Sequence, residues 1–186
     1  MVSLTALWLP IVLSAVAVFI ASSVIHMVFK YHNSEYRQSP NEVKILDAMR
    51  TENISPGFYA FPYCGDVKEM GSPEMKEKYT KGPVGMLNIL PNGPPAMGKK
   101  LGGWFVYCLV VGFFAAYVAS RTLAPGTHYL QVFRVVGCVS FMAYGFAYLS
   151  DAVWNMKPWS MSLKHLFDGL VYGLLSAGVF GWLWPS

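Results

Sequence analysis

Apolar residues are unevenly spread along this chain: they fall into four long runs, separated by polar connections of very unequal length. The first runs from Leu4 to Phe29 (LTALWLPIVLSAVAVFIASSVIHMVF), the second from Leu101 to Ser120, the third from Tyr129 to Ser150 and the fourth from about Met161 to Trp184. At a rise of ~1.5 Å per residue, a helix of ~20 residues crosses a hydrocarbon core of ~30 Å. Lipid offers no partners for backbone N–H and C=O groups, so each run is predicted to be a transmembrane helix. Pro10 falls in the first turns of its run, where a missing N–H costs least. The leading MVSLTALW lacks a basic n-region and the apolar stretch is long for a signal peptide, so the first run is read as a retained anchor.

The expected class is therefore an all-α membrane protein: a four-transmembrane-helix bundle with a small α+β cytoplasmic insertion between helices 1 and 2. Residues 1–29 form the first span, 30–100 the insertion, and 101–186 the three spans that complete the bundle. Within the insertion, Ser39-Pro40-Asn41-Glu42 reads as a helix start and Ser72-Pro73-Glu74 as a second. GFYAFPY and VGMLNIL read as extended segments that could pair. A unit this small is near the limit for independent stability and is expected to lean on the bilayer surface or the span ends. Its GPPAMGKK stretch nearly spells a phosphate loop, but two prolines remove N–H donors and Lys100 stands where the metal-binding hydroxyl should be.

Composition agrees with lipid as the solvent. Of the chain, 54% is hydrophobic and 13% charged, against about 25% charged in soluble domains. Basic residues near span ends stay in the cytoplasm. Lys30, Arg37, Lys44, Lys81, Lys99, Lys100, Lys157 and Lys164 all sit at one set of span ends, and Arg121 alone at the other. The expectation is a multi-pass protein of the inner (plasma) membrane with both termini outside and residues 30–100 in the cytoplasm. Trp8, Trp182 and Trp184 would then mark the outer interface, and Trp104, Trp154 and Trp159 the inner one. The net charge of +4 suggests no nucleic acid, because acidic residues are interleaved with the basic ones through the insertion. Lys99 and Lys100 are expected to meet lipid headgroups. Three cysteines, two of them within spans, give no disulfide framework.

The fourth run carries Gly169, Gly173, Ala177 and Gly181, small residues at intervals of four. Such a ridge is how helices approach closely in lipid, either within this chain or toward a second copy or another membrane protein. Polar residues gather at the cytoplasmic ends: Ser22, Ser23 and His26 in the first run, Tyr144, Tyr148 and Asp151 in the third, and His165, Asp168 and Tyr172 in the fourth. A carboxylate in the bilayer must pair, bind a proton or line a wet cavity. Arg134 enters from the far interface, so the expected arrangement is a hydrogen-bonded cluster of His26, Tyr148, Asp151, His165 and Asp168. His26, His165 and the two aspartates could ligate a metal, but no H-x-x-x-H or C-x-x-C spacing occurs, so this reading ranks below the others and neither a metal nor any other cofactor is expected.

The stretch DAVWNMKPWSMSLKHLFDGLVYGLLSAGVFGWLWP, together with the long first span, resembles an uncharacterised bacterial family of small four-span integral membrane proteins. That resemblance implies the architecture and no activity. The leading expectation is a non-catalytic accessory, assembly or homo-oligomeric membrane component in contact with lipid and with other chains through helix 4. The alternative is a transporter or channel subunit for a small solute, proton or cation, using the polar cluster around Asp168. A membrane enzyme ranks third.

Overall fold

The computed structural model describes all residues, Met1–Ser186. The chain divides into two compact units, Met1–Tyr36 with Ala96–Ser186, and Arg37–Pro95.

The first unit is built from four long helices. A 3-10 turn at Leu4–Leu7 leads into α1 (Trp8–Val24). Later come α4 (Met97–Thr122), α5 (Tyr129–Trp154) and α6 (Trp159–Trp182). Contacts run from α1 to α4, α4 to α5, α5 to α6 and α6 back to α1, with α5 against α6 the most extensive. Three stretches are long and apolar enough to cross a membrane: Leu4–Phe29, Met97–Thr122 and Tyr129–Trp154. α6 matches them in length, but Lys164, His165 and Asp168 make its first half the most polar part of any long helix.

One end of this unit is sealed by apolar side chains, with Leu7, Ala115, Val132, Val136 and Phe180 fully buried together. The α4–α5 link is tied down there: Gly126 N donates to Pro185 O at 2.8 Å and the Trp184 indole donates to Ala124 O at 3.0 Å. The outward faces stay apolar, with Val106, Phe114, Phe167 and Leu174 exposed.

The ridge of small residues on α6 faces α5 of the same chain. A β-carbon placed on Gly169 would stand 2.8 Å from Gly145 Cα, and one on Gly173 3.0 Å from Phe141 N. Ala177 lies over Gly137, and the Tyr129 ring covers Gly181. Glycine is required at Gly169 and Gly173 because the facing atoms are backbone.

The first run departs from a continuous α-helix. Ser22 and Ser23 both donate their hydroxyls to Phe19 O, each at 2.9 Å, and side chains that compete for main-chain carbonyls loosen the helical ladder. α1 ends at Val24 and widens into a π turn over Ile25–Phe29. Lys30 then takes a left-handed conformation, φ 52, which reverses the chain into a 3-10 turn at Tyr31–Glu35.

The second unit holds α2 (Glu42–Thr51), β1 (Gly57–Phe61), α3 (Pro73–Lys81) and β2 (Gly85–Ile89). The strands pair antiparallel in the register Gly57↔Ile89 to Phe61↔Gly85. Ser72 caps α3 as its sequence predicts, accepting from Met75 N at 3.2 Å. The start read at Ser39 is different: Asn41 occupies the cap of α2, without a side-chain bond. Met75 is the one buried residue of this unit, while Val43, Phe58 and Tyr63 are exposed.

Candidate functional site

The polar end of the four-helix unit is where α1 closes, α4 begins, α5 closes and α6 begins. Asp168 lies on α6, three residues after His165, so both project from one face. Its carboxylate is the meeting point. The Tyr31 hydroxyl donates to Oδ1, and His32 Nε2 lies 2.8 Å from Oδ2. The left-handed Lys30 is what delivers these partners, since it folds the 3-10 turn back onto α6. A 3-10 turn has three residues per turn, which places His32 and Glu35 directly above one another. His32 Nδ1 accordingly lies 2.5 Å from Glu35 Oε1. The other oxygen of Glu35 faces His165 Nε2 at 3.3 Å, and His165 Nδ1 is 3.9 Å from Asp168.

Two imidazoles, His32 and His165, thus lie between two carboxylates, and a third, His26, lies against His32. The His32 ring is 4.5 Å from that of His26 and 4.7 Å from that of His165, and Tyr148 stacks on His165 at 4.3 Å. The side chains of Glu35 and Asp168 are only 4% and 3% exposed. Neither forms an ion pair with a lysine or an arginine. Lys164 instead donates to Tyr31 O at 2.9 Å and Ser34 Oγ at 2.6 Å, which holds the turn against α6. Arg134 pairs with neither. Burial first, then the bond to Asp168, raises the Tyr31 phenol well above its ordinary range, so it remains a proton donor to that carboxylate.

The cluster forms part of the wall of a cavity of about 500 Å³. His26, His165, Asp168, Tyr148 and Tyr172 give its polar side, and Met27, Met97, Leu101 and Trp104 its apolar side. Lys100 lies at its edge on the first turn of α4, beside Lys99, both exposed. Trp104, expected at the lipid interface, turns inward and donates to Ser22 Oγ at 2.8 Å, whereas Trp154 and Trp159 are exposed. The Tyr172 hydroxyl is buried on this wall without a protein partner.

Of the expected cluster, His26, Tyr148, His165 and Asp168 come together. Asp151 does not. Its carboxylate takes Lys157 Nζ at 2.6 Å and Asn155 Nδ2 at 2.8 Å, because Met156, left-handed at φ 51, turns the α5–α6 link back over the end of α5. Tyr31, His32 and Glu35 belong to the site and were not expected there. The signal that marks them is a pair of His-x-x-acid spacings, His32-Asn-Ser-Glu35 and His165-Leu-Phe-Asp168.

No family model, no curated protein and no solved structure matches the chain.

Proposed function

We propose that this chain is a four-span integral membrane protein whose cytoplasmic-side cluster binds a cation, as the working site of a small transporter or channel subunit. The reading rests above all on Glu35 and Asp168, two buried carboxylates without a lysine or arginine partner, of which Asp168 lines a cavity. Removing such charges from water costs several kcal/mol each unless a cation or protons compensate them. The unpartnered Tyr172 hydroxyl on the cavity wall is a further group ready for a polar occupant. α6 completes the bundle as the fourth span, with its charged turns sheltered by the other helices as intramembrane charges generally are. Lys30, Lys99, Lys100, Lys157 and Lys164 gather at the site end, which supports placing that end, and residues 30–100, in the cytoplasm. The resemblance to small four-span bacterial membrane proteins suits this architecture. The reading as an accessory or assembly component has less to draw on, since the ridge of α6 is covered by α5.

The test is flux. Purified protein in sealed vesicles is challenged in turn with a proton, a potassium and a divalent-cation gradient, using entrapped indicators. Flux of at least one, lost in Asp168→Asn and in Glu35→Gln, is expected. Wild-type vesicles as tight as empty ones to all three would overturn the proposal.

A further inference from the structure

Building on that cation-binding reading, we infer that His32 Nδ1, Glu35 and His165 Nε2 form a three-ligand site for one divalent transition-metal ion, with Asp168 as the positioning carboxylate behind it. Two imidazoles and one carboxylate are a donor set suited to zinc, iron, manganese or cobalt, and leave coordination positions open for water or solute. The donor atoms of these three residues lie within 4.8 Å of one another. Ligands about 2.0–2.1 Å from a tetrahedral ion stand roughly 3.4 Å apart. His165 Nε2 and Glu35 Oε2 are already at 3.3 Å. His32 Nδ1 faces the other oxygen, Oε1, at 2.5 Å, so an ion held by both imidazoles takes the carboxylate through its two oxygens and needs His32 to withdraw by less than about 1 Å.

The surroundings fit the same assignment. A metal-bound imidazole keeps its donor nitrogen free of a proton and gives its other N–H to a carboxylate or carbonyl. His32 is placed for this arrangement, with Nδ1 toward Glu35 and Nε2 2.8 Å from Asp168. Asp168 is in turn held by the Tyr31 hydroxyl, so a metal at Nδ1 would leave the His32 proton on Nε2, facing a carboxylate already in place. A divalent ion also balances the two carboxylates, whose side-chain partners are imidazoles and, at Asp168, the Tyr31 hydroxyl. His26, His32 and Asp168 make a second possible triad. It would use Asp168 as a ligand and leave Glu35 to accept hydrogen bonds from two neutral rings. The two assignments predict different mutants.

The experiment uses the full chain in detergent, purified through a histidine-free tag, stripped with chelator, and titrated with cobalt and zinc ions. One equivalent per chain is expected, with cobalt ligand-field bands of a site holding nitrogen and oxygen donors. His32→Ala, Glu35→Gln and His165→Ala should each weaken binding at least about 100-fold, Asp168→Asn about 10- to 100-fold as an outer partner, and His26→Ala less than about threefold. A wild-type chain that binds neither ion would overturn the site whatever the mutants do. Undiminished binding in Glu35→Gln, with loss in His26→Ala and Asp168→Asn, would overturn the assignment in favour of the other triad. Proton or potassium flux in a chain that binds no metal would remove the metal and leave the cation-binding proposal standing. Metal binding in vesicles tight to every cation would do the reverse.

Discussion

His32 Nε2 lies 2.8 Å from the carboxylate of Asp168, a contact that joins residues 136 positions apart and closes the turn after the first span onto the last helix. Both side chains are buried, so losing His32 leaves the Asp168 carboxylate with the Tyr31 hydroxyl as its one close partner. In chelator-treated protein, His32→Ala should lower stability by about 3–5 kcal/mol, the cost of leaving a buried charge without its partner. Asp168→Asn keeps a hydrogen-bonding group of the same shape and should cost less. A double-mutant cycle read by thermal unfolding in detergent should give a coupling of about 1–3 kcal/mol; additive losses would mean that the pair does not form.

Helix α6 reaches α5 through backbone rather than side chains. With Gly145 Cα 2.8 Å from where a β-carbon on Gly169 would stand, Gly169→Ala must push the helices apart. The expected loss is about 1–3 kcal/mol. Gly178 is the matched control, because a β-carbon there meets nothing nearer than Tyr129 Oη at 3.8 Å. Gly178→Ala should stay within about 0.5 kcal/mol of the parent. Equal effects at the two positions would contradict the packing described.

The difference between what could and could not be read from the amino-acid order has a physical origin. Apolar runs and the four-residue rhythm of Gly169, Gly173, Ala177 and Gly181 are properties of single helices, so they survive in one dimension. Asp168 was legible as a residue in need of partners. His32 and Glu35 were not legible as those partners, because they arrive through a chain reversal at Lys30 that no glycine or proline announces. His165 and Asp168 stand out as a pair on an apolar helix, whereas His32 and Glu35 sit in a polar stretch on a 3-10 turn, where i and i+3 coincide. Asp151 was misplaced for a related reason: helical spacing put it on the face of Tyr144 and Tyr148, but the link after Trp154 supplies its own lysine.

Residues 37–95 make a compact unit with one buried side chain, Met75, and a two-stranded sheet. Two strands and two short helices without a core are marginal in water. The isolated segment should show weak, gradual thermal loss of circular dichroism and rapid proteolysis. A sharp cooperative transition would establish a stability that this burial does not explain.

Asp151 and Asp168 are both carboxylates at the same end of the helices, and their substitution should separate them cleanly. The Asp151 side chain is 33% exposed and its ion pair with Lys157, itself 42% exposed, is open to solvent. Solvent-exposed pairs contribute about 0–1 kcal/mol. Lys157 first, then Asn155, hold the α5–α6 link rather than any imidazole. Asp151→Asn should therefore change stability by no more than about 1 kcal/mol and leave cobalt affinity and cation flux at parental values, whereas Asp168→Asn diminishes both. If Asp151→Asn instead abolished flux or metal binding as completely as Asp168→Asn, the boundary drawn around the site would be wrong, and the end of α5 would have to be counted within it.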